Sequence, residues 1–228
     1  MQPLIIIPAR GGSKGVPRKN IKLLNGKPLI YYTIDAAREI VDDKNICVTT
    51  DDDEFIELVK SYGLKVPFKR PHELATDTSS TEEVIKHALS HYQNKGIYYE
   101  KIVILQPTSP FRKGKHINEA LLLFKPNLDM VVSVKQTKSN PYYVLFEENE
   151  KGFLEKSKNG NFTRRQDCPS VWEYNGAIYI ISTKSLLKKS ITQFKRIVKF
   201  EMDELSSLDI DSSLDWDFAT YLLRNNMV

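Results

Sequence analysis

Cysteine is scarce in this chain: two in 228 residues, Cys47 in the strand-like NICVTT and Cys168 in the polar RRQDCPS. They share no CxxC or zinc spacing, which excludes a disulfide framework and a cysteine metal site as organising devices. Long apolar runs are lacking too. No stretch approaches the roughly 20 residues of a membrane span, and the early IIIP is too short for a signal peptide. A reducing cytoplasm and no membrane partner are therefore expected. Charge of either sign is nearly balanced, with 33 Lys and Arg against 29 Asp and Glu and a formal net charge of +4. With no strongly basic face and no recognition module, nucleic acid is not an expected partner. Repeats, linkers and low-complexity segments are absent, and 41% hydrophobic content suits one globular domain over residues 1–228.

What the chain does have is concentrated near its start. LIIIPARGGSKGVPRKN, residues 4–20, runs from four apolar residues into a loop of glycines and cations. Gly11, Gly12 and Gly15 let backbone N–H groups approach a ligand with no Cβ in the way. Arg10, Lys14, Arg18 and Lys19 add charge, and Ser13 and Asn20 add neutral hydrogen bonds. This composition points to a polyphosphate. A P-loop needs GxxxxGK[ST] and a dinucleotide fingerprint needs GxGxxG; the loop reads GGxxG and fits neither. A flexible basic surface turn is the alternative on residue types alone.

Strand and helix patterns alternate over the first 135 residues. Leu4–Ile7, Ile46–Thr49, Ile102–Leu105 and Met130–Val134 read as buried strands. Helices are predicted at Pro28–Ile40, at Glu54–Tyr62 closed by Gly63, from Ser80 with Glu83 as a capping box, and around Ile117–Phe124. The expected fold is α/β: three layers, with a mainly parallel, doubly wound sheet of Rossmann-like type. Ligands then bind beyond the carboxyl ends of the strands, which gathers the loops 8–20, 50–53 and 106–115 at one edge. Between 139 and 170 the rhythm breaks. Alternating apolar residues, with turn signals at Glu150–Gly152 and Asn159–Gly160, predict an inserted antiparallel arm of two or three short strands. Ala177–Ile181 returns as a strand, and helices are expected at Thr183–Lys188 and Ser213–Leu223. The basic run Lys184–Lys199 reads as a solvated face, and the His87/His91 pair as surface.

PARGGSKGVPRKN resembles the nucleotide-binding signature of the acylneuraminate cytidylyltransferases, the CMP-sialic acid synthetases. Four further stretches match in order: RPHELATDTSST (70–81), LQPTSPFR (105–112), RRQ...NGAIYI (164–180) and LDIDSSLDWDFA (208–219). The resemblance implies a nucleotidyltransferase fold, attack by a sugar's anomeric hydroxyl on the α-phosphorus of CTP with pyrophosphate leaving, Mg²⁺ as cofactor, and a homodimer formed through the arm. The acceptor is a nonulosonic acid, N-acetylneuraminate or a relative such as a legionaminate. The alternatives are a cytidylyltransferase for another keto sugar acid, such as the eight-carbon acid of lipopolysaccharide core, and a non-catalytic nucleotide-sugar-binding protein.

The resemblance assigns roles residue by residue. Arg10, Lys19 and Asp211 are the catalytic group. Arg10, Gly11, Ser13, Lys14, Lys19 and Asn20 meet the triphosphate, while Arg70, Ser79 and Thr81 read cytosine. Asp209 and Asp211, two apart in an extended segment, project to one side and can share a metal; Asp211 can instead cap the helix beginning near Ser213. Asp215 and Asp217 point about 200° apart on that helix and are poor partners for a metal. Gln106, Ser109, Arg165, Asn175 and Tyr179 are the sugar contacts, Arg165 as partner of the carboxylate. Tyr179 can equally be a core residue, and LQPTSPFR a rigid turn. Many relatives carry a basic residue where this chain has Glu173. Phe194 is a candidate to be lent across the dimer.

Overall fold

The computed structural model describes residues 2–12, 15–76 and 78–228. Strand β1 (Leu4–Pro8) has Leu4 through Ile7 fully buried, as expected of a strand covered on both faces. After the glycine loop comes a small hairpin, β2 (Leu23–Leu24) and β3 (Lys27–Pro28). Its turn is Asn25–Gly26, with φ of 49° and 82°, the left-handed pair that a tight hairpin turn demands. Helix α1 (Leu29–Arg38), strand β4 (Ile46–Thr49) and helix α2 (Asp53–Ser61) follow. Gly63 closes α2 as predicted: at φ 78° it donates to Lys60 O (2.9 Å), and Leu64 N–H reaches Val59 O (3.2 Å). Helix α3 (Thr81–Gln93) opens on the Ser80–Glu83 capping box. Then come β5 (Lys101–Ile104), α4 (Gly114–Leu123), β6 (Met130–Gln136), the arm strands β7 (Phe146–Glu148) and β8 (Leu154–Lys156), β9 (Trp172–Ser182), α5 (Thr183–Leu186), β10 (Ile197–Glu201) and α6 (Ser213–Arg224).

The central sheet has six strands in the order β10-β6-β9-β5-β1-β4. β1 pairs in parallel with β4 and β5, and β10 with β6, so the sheet is mainly parallel as predicted. β9 runs antiparallel between β5 and β6. Alternate residues of β1 divide between two cores, which makes the three layers. Ile5 and Ile7 pack with Ile34, Phe55 and Ile117 from α1, α2 and α4, whereas Leu4 and Ile6 pack with Ile85, Leu89 and Leu186 from α3 and α5. A third cluster joins Val16, Leu24 and Leu29 to Ile210, Trp216 and Leu222, tying the first loop to α6.

Several expectations change here. The arm keeps to the lower of the two expected strand counts, a two-stranded antiparallel hairpin turned near Gly152 at φ 79°. Asn159–Gly160 makes no second turn; Gly160 lies under Phe162 and Tyr142, whose rings meet edge to face. The basic run 184–199 is not merely a solvated face, since it leads into edge strand β10 and contributes Phe194 to the core beside α3. At 7% exposure Phe194 is buried in its own chain, so it is not available to be lent to a partner. His87 and His91 are half-buried, packed on the Phe68 ring with centroids 4.8 and 4.6 Å away.

Candidate active site

Strands β1, β4 and β5 end together, because Ala9 N–H still donates to Thr49 O (3.0 Å) and Leu105 N–H to Ile6 O (3.1 Å). Beyond that edge lies a cleft of two joined cavities, each about 290 Å³. Gly12, Gly15, Lys19, Asn20, Thr108 and Asp211 line the first; Arg70, Leu74, Thr76, Ser79, Thr81 and Val84 line the second. Pro8, Arg10 and Gln106 line both, so the two form one trough at the edge that the parallel topology predicts.

The glycine loop is seated against the segment before α6. A Cβ on Gly15 would lie 1.9 Å from the carbonyl oxygen of Asp211, a contact only glycine permits. Gly11 donates to Asp51 Oδ1 (3.3 Å), and a Cβ there would lie 2.7 Å from Asp52 Oδ2. Lys19 is 8% exposed, and its ammonium donates to Ile210 O (2.5 Å) and Asp211 Oδ1 (3.1 Å). Arg10 donates to Thr76 O (3.3 Å) at the seam of the two cavities. Arg18, by contrast, faces α2, paired with Glu54 (2.7 Å) and Asp52 (3.5 Å). Ser13 and Lys14 lie outside the described residues.

Asp209 and Asp211 come together with Lys19 as expected. The capping role proposed for Asp211 belongs to its neighbours: Ser212 Oγ accepts from Asp215 N–H (3.3 Å), and Asp215 Oδ2 accepts from Ser212 N–H (2.7 Å) and Asp211 N–H (3.1 Å). The Asp211 carboxylate is thereby left to Lys19. Asp209 Oδ1 is buried with no hydrogen-bond partner among the described residues, as are Asn20 Oδ1 and Thr108 Oγ1. Burial raises the Asp209 carboxyl above its ordinary range and the nearby Asp211 adds to this, opposed by Thr108 and Lys19. Two carboxylates, one with an orphaned buried oxygen, form a hard-oxygen donor set suited to a divalent cation. No group of three or more His, Cys, Asp or Glu able to hold a metal is found among the described residues; a cation held by this pair would need further ligands from substrate and water.

In the second cavity Arg70 is 4% exposed. Its guanidinium binds Thr49 O, Thr49 Oγ1 (3.2 Å) and Leu74 O (3.4 Å), securing the 70–81 loop to the end of β4. Ser79 Oγ donates to Glu73 O (2.8 Å), and Thr81 begins α3 at the cavity wall. Arg70 is thus a structural tie as well as a lining group.

The expected sugar contacts scatter. Gln106 stands at the junction of the cavities. Tyr179 is half-buried against the core, edge-on to Tyr174; burial and the charge of Asp209 both raise its phenol. Ser109 is fully buried, its hydroxyl without a hydrogen-bond partner among the described residues. Asn175 is turned inward: Oδ1 takes Ser133 Oγ (2.5 Å) and Ala177 N–H (3.2 Å), and Nδ2 donates to Ser207 Oγ (2.9 Å). It fills the gap where the β6–β9 ladder shifts register, so NGA is in the first place a bulge, with Gly176 at φ 75°. Arg165 lies on a short helical turn of the arm, exposed, lining a different cavity of about 430 Å³ with Gln136, Asn140 and Cys168. Glu173 pairs with Lys135 across the same ladder (3.2 Å).

Two contributors escaped the sequence reading. Asp51, in TDDD directly after β4, orients the glycine loop, and its position at the ligand edge was the available signal. Arg112 stood inside LQPTSPFR without a role.

A family model described as cytidylyltransferase matches residues 4–222. The N-acylneuraminate cytidylyltransferase of Streptococcus agalactiae serotype V is 36% identical over 219 residues, covering 95% of this chain and 52% of that protein. The chain thus spans about half the length of that relative. The CMP-N,N'-diacetyllegionaminic acid synthase of Legionella pneumophila is 32% identical over 227 residues, covering 99% and 98%. Among solved structures, CMP:2-keto-3-deoxy-manno-octonic acid synthetase complexed with CTP superposes with a TM-score of 0.72 at 17% identity, over 99% of this chain and 100% of that one. The last likeness concerns the fold.

Proposed function

Because the chain belongs to the cytidylyltransferase family, we propose that it transfers CMP from CTP to the anomeric hydroxyl of a nine-carbon acyl sugar acid and releases pyrophosphate. N-acetylneuraminate and legionaminate-type acids are the substrate class, in line with the names of the relatives. One observation carries the reading: Lys19 and Asp211, with Asp209 beside them, stand at the Arg10 cavity, which shares Pro8, Arg10 and Gln106 with the Arg70–Ser79–Thr81 cavity. A cation-lined pocket for a triphosphate thus adjoins a polar pocket for a base.

In this reading the hydroxyl oxygen bonds to the α-phosphorus, the bond from that phosphorus to the bridging oxygen of pyrophosphate breaks, and the hydroxyl proton passes to solvent. Arg10 and Lys19 offset the charge that gathers on the phosphoryl oxygens, while Gly11 and Gly15 hold the loop close to it. Asp209 and Asp211 would hold a Mg²⁺, which when bound supplies Lewis-acid neutralisation of phosphate oxygens. Asp211 also keeps the Lys19 ammonium in place. Gln106 and Tyr179 face the acceptor.

The arm supports a homodimer. Leu145, Phe146, Phe153 and Leu154 are 42%, 47%, 66% and 69% exposed, more apolar surface than a lone hairpin carries comfortably in water. A two-fold pairing of arms covers it. Arg165, whose cavity shares no lining residue with the cleft of its own chain, then meets the sugar carboxylate by way of the dimer. No described helix is long and apolar enough to cross a membrane; with both cysteines free, we assign the protein to the cytoplasm.

Turnover with CTP, UTP, ATP and GTP, each with Mg²⁺ and a panel of nine-carbon acids, tests the reading by product mass. CMP-sugar formed from CTP far above the other nucleotides is expected, because a site of fixed hydrogen bonds rejects analogues that leave its groups unpaired. Equal use of UTP would overturn it.

A further inference from the structure

Arg112 is the largest fully buried side chain in the protein, 1% exposed, and makes no ion pair among the described residues. A buried cation without a counter-ion is expensive and persists only where something else requires it. Its contacts are all neutral. Nη1 donates to Gln106 O (3.0 Å) and to Ala177 O (3.0 Å), and Nη2 donates to Thr33 Oγ1 (2.6 Å). Thr33 Oγ1 lies in turn 3.5 Å from Gln106 O. Burial draws the guanidinium down to about 9, still cationic at neutral pH.

The two carbonyls belong to different segments, of which Gln106 lines the cleft. Gln106 begins the loop after β5; Ala177 follows Gly176 at the β9 bulge. Asp209 and the Gln106 side chain both approach that bulge: from the Cβ position of Gly176, Asp209 Oδ2 is 3.5 Å away and Gln106 Cδ 3.9 Å. β5 and β9 pair through Ile104 and Tyr179, and beyond that point the ladder has ended. Arg112 bridges the gap that follows. Its planar fork spans two carbonyls and a hydroxyl at once, which an ammonium on a flexible stem cannot do.

We propose that Arg112 is a positioning residue for the acceptor half of the site: it sets the spacing between Gln106 and the Gly176–Ala177 turn, and with it the pocket that receives the sugar acid beside Asp209. Among the described residues, none of the Arg112 hydrogen bonds reaches the glycine loop or the 70–81 loop, which face the nucleotide. The one link to the nucleotide cavities among these bonds is Gln106, so Arg112 acts on the acceptor more than on CTP. This rests on the function proposed above.

The experiment uses the purified full chain. Wild-type turnover with CTP, Mg²⁺ and the acid panel comes first; absence of any CMP-sugar refutes the functional reading itself. With an acceptor in hand, Arg112→Lys and Arg112→Gln are compared with Thr33→Val, a gentler variant that removes one acceptor of the fork and serves if the others fold poorly. Both Arg112 variants are expected to raise KM for the acid about 10-fold and Thr33→Val about 3-fold, with the calorimetric Kd for CTP changing by a smaller factor in each. Arg112→Lys combined with Gln106→Ala should be less than multiplicative, because both act on the same wall. A purely structural role would lower the active fraction, reducing kcat with both KM values intact. Full rescue by Arg112→Lys would make charge, not the fork, the relevant property. Either result overturns the proposal, as does a fully multiplicative double variant.

Discussion

Gly15→Ala is the sharpest perturbation the cleft allows. An added Cβ would sit 1.9 Å from Asp211 O and 3.1 Å from its carbonyl carbon. Carbon–oxygen contacts settle near 3.3 Å or beyond, so about 1.4 Å of separation must be found. The Asp211 side cannot supply it readily. Its N–H is held by Asp215, Ile210 N–H donates to Thr108 O (2.9 Å), and Ile210 O takes the Lys19 ammonium. The loop must therefore lift, carrying Lys19 off Asp211 and the glycine backbone off the phosphate position. A misplacement of about 1 Å costs catalysis about 10²-fold, close to 2.7 kcal/mol of transition-state stabilisation. Overpacking costs about 1–3 kcal/mol in stability, at about 2–4 °C per kcal/mol for a chain this size. Steady-state kinetics and calorimetric melting read the two effects separately. A variant with kcat/KM within twofold of wild type would refute the seating of the loop on Asp211.

Asp209→Asn and Asp211→Asn should each lower the Mg²⁺-dependent rate by about 10²-fold or more, and wild-type rates with unaltered metal dependence would remove the metal assignment. Asp129 governs stability instead. It is fully buried; burial alone would raise its carboxyl, but the backbone N–H and guanidinium of Arg196, with Lys189 and Ser185, hold it far below the usual range. Its stabilisation is therefore complete above the ordinary Asp pKa of about 4 and is lost as pH falls towards the folded value. Asp129→Asn should cost about 3–5 kcal/mol at pH 7 and less at pH 3, read from urea midpoints at the two pH values; equal losses would contradict the sign. If the proposed dimer forms through the arm, wild type should scatter light as a dimer at micromolar concentration and Phe146→Asp as a monomer; an unchanged mass would exclude the arm as the interface. Ser212→Ala should cost about 1 kcal/mol and leave the metal dependence intact, since capping and metal roles sit on different residues.

Much of the fold was legible because the strands nearest the ligand edge are continuous apolar runs and the helices carry explicit stops. Gly63 and the Ser80–Glu83 box appear where their chemistry placed them. The direction of β9 was not legible: an antiparallel strand between two others has the same buried residues as a parallel one. β10 was hidden because its edge position leaves four of its five residues partly or fully exposed within a basic run, with Phe200 alone buried and Ile197 and Val198 half-buried. In the site, Arg10, Lys19, Asp209 and Asp211 converge because the parallel topology brings the chain back to one edge. Asn175 resisted the same logic. Its type suits a ligand, but the register shift beside it demands a polar side chain to satisfy Ser133 and the Ala177 N–H. Arg165 lines a cavity apart from the cleft of its own chain, a placement that distance along the arm does not report because it does not say which way the hairpin carries the residue.

The central claim is that this cleft joins a sugar hydroxyl to the α-phosphorus of CTP, and oxygen labelling tests it most directly. Wild-type protein is given CTP, Mg²⁺ and a nine-carbon acid carrying ¹⁸O at the anomeric hydroxyl. Mass spectrometry of the products should find the label bridging sugar and phosphorus in the CMP-sugar, with unlabelled pyrophosphate. Label lost to water, or no cytidine-bearing sugar from any acid of the class, would contradict the account.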